Sequence, residues 1–307
     1  LSSINPFSWR KTANKIIDLE PDLVLFSFWL AFFAPAFSGV AKKIKKYLDA
    51  TIMVICHNII PHEEHLLDTR LTKRFFGFID SFVVLSNKVE SELLSFVPGA
   101  KYKYSPHPVY NIFKNTLSKE QAKAELKIAT KKVLLFFGLI RKYKGLDILI
   151  NAMEKINTEL EDYTLMIVGE CYENKDKYID LIKKAGITDN VHCHYSFVPD
   201  NEVGKYFSAS DVVVLPYKTA SQSGIVQIAY HFDTPVIVSN VGGLPEIVDE
   251  GKTGYCVEPS SNAFAKAIKA FYEKDNISEL NSNISDYKSQ FSWNAMVNAI
   301  EELVNVH

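Results

Sequence analysis

Residues 211–246, DVVVLPYKTASQSGIVQIAYHFDTPVIVSNVGGLPE, read as a buried strand, a small-residue loop, a short helix, a second buried strand and a glycine turn. The run Asp211–Leu215 is dominated by β-branched residues, which suits a strand covered on both faces. Ile225, Ile228, Ala229 and Phe232 follow at the spacing of one helix face. Between them, Thr219-Ala-Ser-Gln-Ser-Gly224 places hydroxyls, an amide and a glycine where a helix begins. Free N–H groups and the positive dipole end there favour an anionic group, and Gly224 has no side chain to hold a ligand away. The segment predicts a phosphate site at the C-terminal edge of a parallel sheet.

Working outward, apolar runs at 22–27, 51–56, 81–85, 101–105, 132–137, 163–168, 190–195, 211–215, 235–239 and 254–257 alternate with helical patterns. That rhythm predicts βαβ units and hence an α/β fold with parallel sheets. It breaks at 106–131, a polar, proline-marked and lysine-rich stretch that reads as a linker containing a short helix. The tail from about Ala263 reads as helical throughout. Two domains facing across a cleft are therefore expected, 1–112 and 113–291, followed by a last helix at 292–307. In open α/β sheets ligands bind outside the carboxyl ends of the strands, so chemistry is sought just after each run.

At 307 residues, with 47% hydrophobic and 23% charged residues, the chain suits two folded domains. A net charge of −2 gives no whole-chain attraction to nucleic acid. Cys56, Cys171, Cys193 and Cys256 form no CxxC pair and read as buried free thiols, which fits a cytoplasmic setting. Leu23–Ala41 carries no charge over a length close to a membrane span, but Ser27, Pro35, Ser38 and Gly39 interrupt it. A strand, an aromatic loop and a helix from about Phe33 to Leu48 are expected instead. Lys42, Lys43, Lys45 and Lys46 on that helix read as a solvated face, with contact to anionic lipid at the inner face of a membrane as the alternative.

Two further motifs carry chemistry. Gly138-Leu-Ile-Arg141-Lys142-Tyr-Lys144-Gly145 ends a strand with a glycine, gathers three cations and opens the next helix with a second glycine. Arginine offers a planar fork of donors and lysine a mobile point charge, a pairing suited to a diphosphate. His57-Asn-Ile-Ile-Pro61-His62-Glu63-Glu64-His65 follows the strand at 51–56. Its histidines are not at HExxH spacing and Pro61 argues for a loop, so a metal is not expected. His57 reads as a hydrogen-bonding or acid/base group, with a packed structural histidine as the alternative. Gly169 and Glu170 after the strand at 163–168, Phe197 and Val198 after that at 190–195, and Gly242-Gly243…Glu246 are lesser candidates. Gly169 would admit a close backbone or ligand, Phe197-Val198 would face a flat base, and Glu246 would favour a helix dipole.

The order His57, Gly138…Arg141…Lys144-Gly145, Val168-Gly169-Glu170, Pro216…Ser223-Gly224 and Gly242-Gly243…Glu246 resembles the family 4 glycosyltransferases of GT-B fold, group 1 type. The resemblance covers nearly the whole chain and is strongest over 132–258. It implies two Rossmann-like domains, a nucleotide-diphosphate sugar held by the second, a glycan or lipid-linked acceptor by the first, and a final helix, 292–307, that returns to the first. It also implies hexosyl transfer with retention, no metal and no cofactor, as in the synthesis of cell-surface or extracellular polysaccharide. By the same resemblance Arg141 and Lys144 neutralise the donor diphosphate, the Ser223-Gly224-Ile225 backbone holds the distal phosphate, and His57 contacts the transferring sugar. The family's first strand and glycine-rich loop are absent, so the N-terminal domain is expected to be incomplete and residues to precede Leu1.

One departure is plain. The family commonly carries two glutamates at the positions of Ser221 and Ala229, and residues 212–232 contain no carboxylate. The sugar and ribose contacts would then fall to Ser221, Gln222 or Gln227, and the sequence resembles a subset of the family with SQSG-like loops. Two other functions fit the same residues: a non-catalytic nucleotide-sugar-binding partner, and a GT-B-fold epimerase using Glu170 and Glu246.

Overall fold

The computed structural model describes residues 1–60, 68–110, 112–113 and 117–304. The chain divides into two compact units, Leu1–His107 with Trp293–His307, and Pro108–Ser292. The change of unit at His107/Pro108 falls within the proline-marked stretch, and the Val109 N–H donates to Phe291 O (2.8 Å), tying the start of the second unit to its end.

The first unit holds a parallel sheet of β1 (Leu23–Phe28), β2 (Thr51–Cys56), β3 (Ser81–Val84) and β4 (Tyr102–Tyr104), in that spatial order. Alternate residues point to opposite faces. Phe26, Phe28, Val54, Cys56, Phe82 and Val84 share one core with the helices Ala34–Tyr47 and Asp68–Phe76. Met53, Val83 and Leu85 turn to the other face, where Met296 and Leu303 of the helix Trp293–Val304 cover them. That helix is also fastened at its end, since Lys101 Nζ donates to Leu303 O (3.0 Å) and Lys103 pairs with Glu302 (2.6 Å).

The charge-free stretch 23–41 resolves into β1, a single turn at Ala31–Phe33 and the first part of the helix Ala34–Tyr47. No helix among the described residues is long and apolar enough to cross a membrane.

The second unit holds six parallel strands: β5 (Lys132–Phe137), β6 (Tyr163–Val168), β7 (Val191–His194), β8 (Val212–Leu215), β9 (Val236–Ser239) and β10 (Gly254–Val257). Their spatial order is β10-β9-β8-β5-β6-β7. Apolar runs replace polar–apolar alternation because both faces are covered. Val133, Leu135 and Phe137 of β5 enter one core, and Leu134 and Phe136 enter the other. The helix Leu146–Ile156 that follows β5 packs in the second core, whereas Gly224–His231, which follows β8, packs in the first.

Two expectations need correction. Residues 226–230 are all buried, so the helix after β8 is enclosed rather than one-faced, and Phe232 caps it. All four cysteines are free, but only Cys56 is buried, and Cys193 is exposed on the edge strand β7. An edge strand has one face and one side open, so its apolar look in sequence did not imply burial.

Asp211 lies just ahead of β8 and does structural work. Its buried carboxylate accepts the Val133 N–H (2.6 Å) and the Tyr272 hydroxyl (3.3 Å) and pairs with Lys119. Burial, and then the Asp211 carboxylate, hold the Tyr272 phenol well above its ordinary range. A buried charge is tolerated only when its lone pairs are so filled. Asp211 thereby fixes β8 to β5 at the edge of the sheet opposite the candidate site.

Candidate active site

In the second unit, β5 and β8 are neighbours, yet their following chains leave for opposite faces of the sheet. This is a topological switch point, where the departing loops leave room for a ligand beyond the strand ends. The two motifs singled out in the sequence are the two loops that leave it.

The first loop begins at Gly138, with φ +111°, and ends at Gly145, with φ +68° and ψ +26°. A Cβ on Gly145 would stand 1.9 Å from Pro216 O, so only glycine fits where this loop crosses the chain leaving β8. Gly169 is constrained in the same way, because a Cβ there would lie 2.0 Å from Gly138 O. Its close neighbour is therefore the β5 loop. Beyond this crossing, Ile140 donates to Glu170 O (2.9 Å) and Tyr172 donates to Ile140 O (3.1 Å), zipping the loops after β5 and β6 together. The Arg141 guanidinium, exposed, lies 4.7 Å from the centre of the Tyr172 ring, and the Tyr172 hydroxyl donates to Glu170 Oε2 (3.0 Å). Glu170 thus has a side-chain partner beside Arg141.

The second loop runs from Pro216 to Gly224. The Lys218 N–H donates to Tyr143 O (2.7 Å) and its ammonium pairs with Asp147 (2.7 Å). Lys144 Nζ lies 3.8 Å from the centre of the Tyr217 ring, and the Tyr217 and Ser223 hydroxyls are 3.2 Å apart. Ser221 and Ser223 are buried, Gln222 is half-buried, and Gly243 N–H donates to Ser221 O (3.1 Å). A Cβ on Gly242, where φ is +56°, would meet Ala220 O at 1.6 Å, so the turn after β9 also crosses this loop without a side chain. Gly224 opens the helix, with the hydroxyl of Tyr110 3.1 Å from where a Cβ would be. Ile225 leans over the first loop, its Cδ1 3.3 Å from the Cβ position of Gly138. Hence Gly138, Arg141, Lys144, Gly169, Glu170 and residues 221–225 belong to one connected set of loops. Backbone N–H groups at the start of a helix and cations on the facing loop can together hold a diphosphate.

Phe197 and Val198 do not share a role. Phe197 is 67% exposed, whereas Val198 is 7% exposed and packs in the core that contains Phe137 and Tyr206, so Val198 can offer a ligand only its backbone. Glu246 lies in the single turn Pro245–Ile247.

His57 belongs to the first unit. Its N–H donates to Phe28 O (2.8 Å), its Nε2 and Ser27 Oγ are hydrogen-bonded at 2.8 Å, and the rings of Trp29 and His107 lie 6.0 Å away. Burial, and secondarily the neighbouring His107, lower its pKa to about 4. It is therefore a neutral imidazole near pH 7, suited to hydrogen bonding rather than to carrying charge. Among the described residues no group of three or more histidine, cysteine or acidic side chains could hold a metal, and His62, Glu63, Glu64 and His65 lie outside them.

Sequence reasoning missed Tyr172, Tyr217 and Tyr110. Tyr172 and Tyr217 each follow closely on a strand end facing the cationic loop, a signal available in the sequence. Tyr110 sits in the linker, and nothing local announces its contact with Gly224.

This architecture recurs among solved structures. HepE from Anabaena, crystallised in complex with UDP, superposes with a TM-score of 0.80 at 20% identity, over 97% of this chain and 82% of that one. The likeness establishes the GT-B fold. Spore coat protein SA of Bacillus subtilis is 27% identical over 204 residues, 62% of this chain and 52% of its own. The D-inositol 3-phosphate glycosyltransferase of Corynebacterium aurimucosum is 30% identical over 193 residues, 60% of this chain and 45% of its own. The chain thus spans about half the length of the curated relatives it matches. The family model for glycosyl transferases group 1 matches residues 118–291, more than half of the chain, and the protein belongs to that family.

Proposed function

We propose that the protein is a retaining, metal-independent hexosyltransferase of family 4, in the subset with an SQSG-like loop. It moves a sugar from a nucleotide-diphosphate sugar to a glycan or lipid-linked acceptor in the synthesis of surface or extracellular polysaccharide, working at the cytoplasmic face of the membrane. The observation that carries this reading is the pair of loops at the β5/β8 switch point, one bearing Arg141 and Lys144 and the other ending at a helix N-terminus behind Ser223 and Gly224. When the bond from the anomeric carbon to the diphosphate oxygen breaks, negative charge grows on the departing diphosphate. Cations and N–H dipoles already in place stabilise that charge more than the ground state and so lower the barrier. Gly138, Gly169 and Glu170 line the donor on this reading, Phe197 and the Val198 backbone face the base, and Ser221 and Gln222 contact the sugar. The UDP in HepE supports a nucleoside diphosphate as the leaving group.

Incubation with a panel of nucleotide sugars and candidate acceptors should release nucleoside diphosphate with one donor. Arg141→Ala and Lys144→Ala should each lower kcat by about 10²- to 10³-fold, the usual effect of removing one transition-state charge partner. No donor bound, or unchanged turnover in both variants, rejects the proposal. The absence of any carboxylate from 212–232 favours one second reading, a nucleotide-sugar-binding partner without turnover. Tight donor binding with no product from any acceptor would select it.

A further inference from the structure

We propose that Tyr217 is the positioning residue of the donor site, setting Lys144 and Ser223 at the spacing a diphosphate requires; this rests on the donor-binding reading above. Tyr217 is fully buried, yet its two ends reach both loops of the switch point. The Lys144 ammonium stands 3.8 Å from the centre of its ring, well inside the range of a cation–π interaction, and the ring of Tyr143 flanks the same ammonium at 5.3 Å. At its other end the hydroxyl is 3.2 Å from Ser223 Oγ, the residue ahead of the helix Gly224–His231.

The backbone around Tyr217 leaves little freedom. Pro216 O fills the place a Cβ would take on Gly145, and the Lys218 N–H is bonded to Tyr143 O at 2.7 Å. One rigid side chain between two pinned neighbours therefore supports the mobile cation from one loop and the cap residue from the other. A lysine ammonium on four methylenes has many rotamers, and holding it over an aromatic face removes most of that freedom before the diphosphate arrives. Tyr217 need not touch the donor. Its effect passes through Lys144 and Ser223.

Two double-mutant cycles on the 307-residue chain test this, with affinity measured by calorimetry for whichever of UDP, GDP, ADP and dTDP binds best. Tyr217→Leu should weaken binding about 10-fold, but only about 3-fold in a Lys144→Ala background, because the ring acts through the ammonium and only the contact with Ser223 is then left to lose. Tyr217→Phe keeps the ring and loses the hydroxyl. It should retain most of the affinity, weaken binding about 3-fold, and have no further effect when combined with Ser223→Ala. A merely structural tyrosine would give the same fold-loss in both backgrounds, and additive cycles overturn the proposal. Where Tyr217→Leu fails to fold, judged by circular dichroism, the Tyr217→Phe/Ser223→Ala cycle decides alone. Binding of none of the nucleotides by the wild-type chain rejects the donor site itself, whereas normal binding with additive cycles rejects only the role of Tyr217.

Discussion

At the scale of single residues, the state of His57 has a measurable signature. Its pKa of about 4 lies below the 6.5 of an ordinary histidine, so between those values the unfolded chain binds more protons than the folded one. The stability of the first unit is accordingly full above pH 6.5 and falls as the pH drops towards 4, with no further loss from this group below that. Thermal melts at pH 7 and pH 5 should show a larger fall for the wild type than for His57→Gln, whose amide does not titrate. Equal falls would show that the imidazole is not held neutral. Burial explains why the sequence left His57 open between an acid/base group and a packed histidine: the outcome depends on Ser27, Phe28 and His107, and His107 lies fifty residues further along the chain.

At the scale of elements, the loops at the strand ends cross where no side chain fits. Gly145→Ala places a methyl group against Pro216 O in a left-handed backbone, so it should cost about 3 kcal/mol or more. For a unit of this size that corresponds to a fall in Tm of roughly 6–12 °C. Gly251, also at positive φ but with nothing within 4 Å of its Cβ position, is the control, and Gly251→Ala should cost about 1 kcal/mol. Similar losses at both positions would mean that backbone conformation, not the crossing, sets the cost. Strands and most loops were legible in the sequence because strands covered on both faces carry apolar runs, as Val133–Phe137 of β5, Leu165–Val168 of β6 and Val212–Leu215 of β8 do. The glycines announced themselves for the same kind of reason. That Tyr172 and Tyr217 follow strand ends was legible, but their pairing with Arg141 and Lys144 follows only from strand order, and the contact of Gly224 with Tyr110 of the linker has no local signal at all. Asp211 read as the opening of a strand, and only the placement of Val133, Lys119 and Tyr272 around it reveals a fastening.

At the scale of the whole molecule, the helix Trp293–Val304 belongs to the first unit, although the second unit separates them in sequence. Met296 and Leu303 cover Met53, Val83 and Leu85, so a chain ending at Ser292 exposes one face of the first sheet. Losing the burial of Met296 and Leu303 alone, about 1.5–3 kcal/mol each, should cost the first unit about 3–6 kcal/mol. The second unit, whose cores draw on residues up to Phe291, keeps its own stability. Calorimetry should then resolve a lowered transition and an unshifted one; a single transition lowered as a whole would show that the units unfold together.

The crossings at Gly145, Gly169 and Gly242 bear on how such a protein can change over time. They fix the course of the loops through backbone alone, leaving the side chains between them unburdened by that task. The side chains at 221 and 222 can then be exchanged while the three crossings stay put. The course of the loops at these crossings and the side chains they present thus rest on different residues, so a substitution between the crossings need not refold the loops.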